Sequence, residues 1–325
     1  MCPGGDSILL VYIGRRILQA IPLVIAATIA AYFIMNAAPG GPLAVYLHNP
    51  HVTPSQIQNL ARNLGLDEPW YVRYVTWAWG VARGQWGYSY ATGQSVAGLI
   101  GQTLPHTLIL MLSAFVISLG LAIPIGVLAA THQYSTADNV ISVASFFAWS
   151  MPTFWFGLML QLLFSVYLHW LPPSGMYSPF LPQTAGQLAL HLIMPALVLG
   201  LGSIASWSRY LRSSMLENLG ADFVRTACAK GLSPTVVIVK HVMRNSLIPI
   251  ITIIGLDVPA FFAGAVITEQ VFAWPGMGQL FFQAINNRDY PVMMIVLLIG
   301  TVLLILGNLL ADVLYAVVDP RIRYS

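Results

Sequence analysis

The chain has 325 residues, of which 57% are apolar and only 8% charged, and its mean hydropathy is +0.74. So little polar surface cannot cover a water-soluble globule of this length, which excludes soluble enzymes and cytosolic binding modules. The net charge of +3 is too small an excess to indicate a nucleic-acid partner.

A helix needs about 20 mostly apolar residues to cross roughly 30 Å of hydrocarbon. Six stretches qualify: 17 to 35, 107 to 130, 139 to 168, 190 to 207, 247 to 268 and 292 to 318. They are too long and too unalternating for barrel strands, so the expected fold is an all-α membrane protein, one polytopic domain over residues 1–325. With the N-terminus inside, the inner segments carry Arg15, Arg16, Arg209, Arg212, Arg225, Lys230, Lys240, Arg244, Arg321 and Arg323, and the outer ones Arg62, Arg73, Arg83 and Arg288. Ten against four places both termini in the cytoplasm. Arg15 and Arg16 precede an apolar run longer than a signal peptide's roughly 7 to 15 residues, so the first span reads as an uncleaved helix. Cys2 and Cys228 lie far apart on the same expected side and indicate neither a disulfide nor a metal site.

After the first span, residues 36–106 form the long extracytoplasmic segment. Trp70, Tyr71, Tyr74, Trp77, Trp79, Trp86, Tyr88 and Tyr90 crowd one part of it, which suits an element lying at headgroup level; a ligand-binding aromatic cage is the alternative. Within the spans, Pro124, Pro152, Pro195, Pro249 and Pro259 mark places where a helix bends or absorbs movement.

The cytoplasmic loop 208–246 is where a chain poor in charge gathers it, with four cationic residues between Arg225 and Pro249. From Asp222 to Lys230 the residues favour helix, and Gly231 stands where a left-handed C-terminal cap is wanted. Ser233 offers a side-chain N-cap, Pro234 suits the first helical position, and Val236, Val239 and Met243 give the second short helix an apolar stripe. Two short amphipathic helices joined by a Gly-x-Ser-Pro turn would press a membrane domain onto a soluble partner; a solvated loop obeying the positive-inside bias reads equally well.

Asp257 falls near the middle of the fifth span, where a carboxylate must face the bundle interior or water. It lines a path or bonds a neighbouring helix, with Asn308 as one partner considered. Between the last two spans come Glu269, the WPGMG turn at 274–278, Arg288 and Asp289.

The loop resembles the cytoplasmic coupling loop of ABC importer permeases, whose Glu-Ala-Ala, glycine and downstream apolar–proline pattern is matched from Ala227 through Gly231 to Ile248 and Pro249. The acidic residue of the wider pattern has no counterpart here. The run YLRSSMLENLGADFVRTACAKGL is similar to the dipeptide/oligopeptide branch, where that position is commonly not acidic. PGGPLAVY at 39–46, LGLDEPWYVRYVTW at 64–77, ITEQVFAWPGMGQLFFQAI at 267–285 and NRDYPV at 287–292 resemble the same branch, so the likeness runs from about residue 8 to residue 323.

The resemblance implies a B-type permease subunit with the type I importer fold, multi-pass in the cytoplasmic membrane of a prokaryote. Its implied partners are a homologous C-type permease, two cytoplasmic ATPase subunits that bind ATP and Mg, an external solute-binding protein and the lipid bilayer. Ala227, Lys230, Gly231, Ser233, Pro234, His241, Arg244 and Pro249 would contact or couple to the ATPase. Asp257, Glu269, Trp274, Pro275, Gly276, Arg288 and Asp289 would form part of the path, its gate or the docking surface. A peptide is the first expectation for the cargo, with nickel or glutathione in the same architecture as alternatives.

The chain has no P-loop, since its lysines, Lys230 and Lys240, follow Ala229 and Val239 rather than glycine. It carries no Gly-x-Ser-x-Gly or His-Glu-x-x-His run, and its seven histidines lack ligand spacing, so no enzyme, cofactor or metal site is expected. An ATP-independent secondary transporter remains the competing class, and a co-purifying ATPase separates the two.

Overall fold

The computed structural model describes residues 5–37, 41–43, 53–63 and 65–318. Cys2, Arg321, Arg323 and most of the 39–46 block lie outside these residues. Twelve α-helices follow one another along the described chain. The first four are α1 (Gly5–Ala37), α2 (Pro54–Asn63), α3 (Trp70–Ala82) and α4 (Val96–Thr131). Next come α5 (Thr136–Ser150), α6 (Thr153–Leu160), α7 (Ala185–Leu219) and α8 (Asp222–Ala229). The last are α9 (Pro234–Val236), α10 (Met243–Val271), α11 (Met277–Asn286) and α12 (Tyr290–Val318). Wider π-helical turns continue α6 through Gln161–Tyr167 and join α9 to α10 through Val237–Val242.

Among the described residues, four helical stretches are long and apolar enough to cross a membrane: Gly14–Ala37, Val96–Thr131, Ala185–Leu219 and Tyr290–Leu309. Two bent pairs, Thr136–Ser150 with Thr153–Tyr167 and Pro234–Leu247 with Pro249–Asp257, bring the total to six if each is one crossing. The expected span 139–168 is therefore not straight. Its halves meet at 110°. Pro152 offers no backbone N–H and drives Met151 into extended backbone, with ψ of 128°, so the helix stops there. The fourth helix also outruns its expected end at 207, continuing to Leu219. Pro195, inside α7, does not break it.

The chain divides into two compact units. The larger is built on Leu108–Trp274 and takes in the part of α12 from Leu304. Its core gathers Leu110, Ala114, Ala122, Ala196, Trp207, Phe261 and Trp274. Small residues bring α4 and α7 together, as membrane helix pairs require. At Gly200 a Cβ would fall 2.2 Å from Ser118 Oγ, and that hydroxyl donates to the Gly200 carbonyl at 3.3 Å.

The smaller unit comprises Gly14–Thr107 and Pro275–Leu303. Its core joins Val96, Ile100, Met277, Ala284, Val292 and Ile295. Helix α3 lies against α1: Tyr74 Oη and Thr28 Oγ1 share a hydrogen bond of 2.9 Å, and Tyr32 meets Tyr74 edge to face at 5.6 Å. The other flank of α1 is open, with Leu18 69%, Ile21 52% and Ile34 67% exposed.

Candidate functional site: the coupling segment and candidate path residues

Helix α8 turns Val224 and Ala227 inward, onto a cluster with Ala130, Leu211, Met215, Val237, Val242 and Ile250. It ends as its sequence requires. Gly231 takes φ of +75°, its N–H bonds the Cys228 carbonyl at 2.9 Å, and the Leu232 N–H reaches the Ala227 carbonyl at 3.4 Å. This pair of bonds is a Schellman cap.

The second helix begins at Pro234, but two expectations about it are corrected. The Ser233 side chain makes no cap bond; its carbonyl instead accepts the Val237 N–H at 3.0 Å. Nor is the helix separate, because the π turns carry it straight into α10. Those turns also move the apolar stripe. Val237 and Val242, five residues apart as a π turn demands, face the core, whereas Val236 and Val239 are 40% and 51% exposed. Phe223 and Leu232 are exposed too, as are Lys230, Lys240, Arg244 and Pro249. His241 is half-buried and, with Lys240, Arg244 and Asn245, lines a hollow of about 550 Å³. The segment thus has an anchored apolar side and an outer face of mixed valine and cation.

Its base is pinned. Asn218 at the end of α7 donates to Ser246 Oγ at 3.1 Å, and Ser246 is fully buried. Nearly two turns earlier Arg212 grips Asp138 in a two-pronged ion pair at 2.6 and 2.7 Å, while the Tyr134 N–H donates to the same carboxylate at 2.9 Å. The exposed pair Asp222–Arg225 at 3.6 Å contributes little by comparison. Cys228 is exposed on α8.

Asp257 is half-buried and accepts the Trp207 indole N–H at 2.7 Å. That partner replaces Asn308. Trp207 itself is held by Phe115 and Phe261 at centroid distances of 5.8 and 6.1 Å. Glu269 and Trp274 are fully buried, so neither side chain meets a surface.

In the smaller unit, the Pro275 carbonyl bonds His106 Nδ1 at 2.9 Å, and the Met277 N–H donates to Thr107 Oγ1 at 2.7 Å, capping α11 just after the buried Gly276. Asp289 is buried as well. It accepts from Ser89 Oγ and from the backbone N–H of Tyr90 at 3.1 Å, tying down the turn before α4. Arg288, at φ of +51°, is exposed.

Residues 122–324 match the family described as binding-protein-dependent transport system inner membrane component, and residues 9–111 match the description of its N-terminal part. The chain belongs to this permease family. It is 43% identical over 314 residues to the oligopeptide transport system permease protein AppB of Bacillus subtilis (strain 168), covering 96% of this chain and 99% of that one. To the dipeptide transport system permease protein DppB of Escherichia coli (strain K12) it is 37% identical over 338 residues, covering 98% and 100%. The fold is similar to that of a chain in the inward-facing MetNI methionine ABC transporter, with TM-score 0.56 at 16% identity over 69% of this permease and 97% of that chain.

The permease's Asp138–Arg212 clamp, the Asn218–Ser246 pin and the Trp207–Asp257 bond were not anticipated from the sequence. One local signal pointed to the first: Ser135 and Asp138 have the spacing of a capping box, and Ser135 Oγ does accept the Asp138 N–H at 3.2 Å.

Proposed function

We propose that this permease forms half of the membrane path of an ATP-driven importer of dipeptides or oligopeptides, paired with a homologous C-type permease. Full-length similarity to AppB and DppB carries the peptide assignment. In this reading two cytoplasmic ATPase subunits bind ATP and Mg, an external binding protein delivers the cargo, and both termini face the cytoplasm of a prokaryotic cell. The ATPase meets the outer face of α8 and of the helix running from α9 through the π turns into α10, where Val236, Val239, Lys240 and Arg244 are open. The pinned base at Asn218 and Ser246 passes that movement to α7 and α10.

Asp257 lies beside the path and makes a weak, transient contact with a passing peptide amine, with Trp207 fixing its orientation. Arg288 belongs to the surface that receives the binding protein. The test is uptake in proteoliposomes loaded with ATP and holding the full complex. Peptide accumulation that needs ATP supports the assignment; accumulation of nickel or glutathione instead, or uptake without ATP, overturns it.

A further inference from the structure

The smaller unit holds a half-open cavity of about 670 Å³ that the transport reading does not use. Tyr32 and Asn36 line it from the end of α1, Arg73 and Trp77 from α3, and Trp86 and Tyr290 from beyond. Arg73 Nε is shut off from solvent and has no hydrogen-bond partner among the described residues. Glu68 also lines the cavity, yet no ion pair joins it to Arg73 among the described residues. A guanidinium keeps its charge, so a buried Arg73 N–H left without an acceptor in a polar hollow calls for an oxyanion. Tyr32, Asn36, Gln85 and Tyr290 line the same walls and bring polar side chains that can serve its remaining oxygens, although one Asn36 N–H already donates to the Tyr32 carbonyl at 2.8 Å.

Depth identifies the oxyanion. Helix α3 rests on α1 at Thr28, Tyr32 and Phe33, within the apolar stretch that ends at Ala37. Thr28 lies nine residues before that end, or about 13 Å at 1.5 Å per residue. So α3 sits from headgroup level inward, not out in solution. Its outer face agrees: Tyr71, Val75 and Trp79 are 57%, 63% and 60% exposed, and the Arg83 guanidinium stacks 4.6 Å over Trp79. That is the pattern of a helix lying in the interface. At that level the abundant oxyanion is lipid phosphate, and the open apolar flank of α1 offers a track for its acyl chains.

We infer that this cavity is a phospholipid headgroup site in which Arg73 holds the phosphate and Glu68 receives a headgroup ammonium, so that an ethanolamine lipid fits best. The site is independent of the cargo assignment. The whole complex, purified in detergent and stripped of lipid, is titrated with dioleoyl phosphatidylethanolamine and bound lipid is counted by native mass spectrometry.

Arg73→Gln is expected to weaken one bound lipid about tenfold, and Arg73→Lys by less, because the ammonium keeps the charge but loses the fork. Arg83→Gln, outside the cavity, leaves binding unchanged. Dioleoyl glycerol, with the same chains and no phosphate, should not fill the site. Equal binding by wild type and Arg73→Gln, or by the two lipids, overturns the proposal. Displacement by free phosphoethanolamine at equal concentration assigns the phosphate to a soluble source instead. Displacement by a dipeptide but not by its C-terminal amide makes the cavity a cargo site and sinks the lipid reading.

Discussion

At Gly231 the backbone sits at φ of +75°, yet a Cβ added there would meet nothing within 4 Å. Any substitution therefore acts through backbone strain alone, of order 1–3 kcal/mol for a residue forced into that region. Gly231→Val should reopen the Schellman cap, tilt the exposed valines away from the ATPase and abolish most peptide-stimulated ATP hydrolysis while the complex still assembles. Gly231→Asn, which tolerates the left-handed region, should keep most of it. Normal stimulation in the valine variant would remove the coupling role from this turn.

Asp257 poses the opposite problem, since it is charge rather than shape that is in question. Asp257→Asn retains an oxygen for the Trp207 N–H, so folding is expected to survive. Losing one charged contact should slow uptake of peptides with a free N-terminus about fivefold relative to N-acetylated ones. Equal slowing of both would leave Asp257 as a packing residue.

For whole helices, the contrast is between what a few neighbouring residues dictate and what only the folded chain brings together. The Gly231 cap and the start at Pro234 were legible because each depends on the backbone preferences of one or two residues. The partners Asp138 and Arg212 stand 74 residues apart, and Ser89 and Asp289 stand 200 apart, so no local pattern could join them. The valine stripe departs from its expected positions for a different reason: the chain adopts π turns there, and these replace the 3.6-residue period of an α-helix.

Two measurements address these elements. Asp138→Ala strands Arg212, whose side chain is 25% exposed, and frees the Tyr134 N–H. The expected loss is about 2–3 kcal/mol, less than the roughly 3–5 for a fully buried pair, read as a lower unfolding midpoint of the purified complex. Val239→Glu, by contrast, alters a half-exposed side chain and should leave that midpoint in place while weakening ATPase association at least about tenfold. If both variants merely lowered the midpoint, the outer face of the coupling segment would not be a docking surface.

Across the whole molecule, Arg288 and Asp289 are neighbours in sequence with separate tasks. Arg288→Glu should weaken docking of the binding protein at low ionic strength, with the effect fading near 1 M salt, where the screening length is about 3 Å. Asp289→Asn should instead loosen the turn at residues 89–91, detected as faster proteolysis there, with no salt-dependent change in docking. Salt-independent docking loss in both would assign the pair to structure alone.

Finally, α1 keeps Thr28 and Tyr32 against α3 and leaves Ile17, Leu18, Ile21, Leu23 and Ile34 uncovered within its own unit. Lipid tails are as apolar as those side chains, so burying them in the bilayer favours no particular one. Mutational freedom along this helix is therefore one-sided. A library in which every position of the span is randomised among Leu, Ile, Val and Phe should return nearly all combinations on the open flank and few at Thr28 and Tyr32.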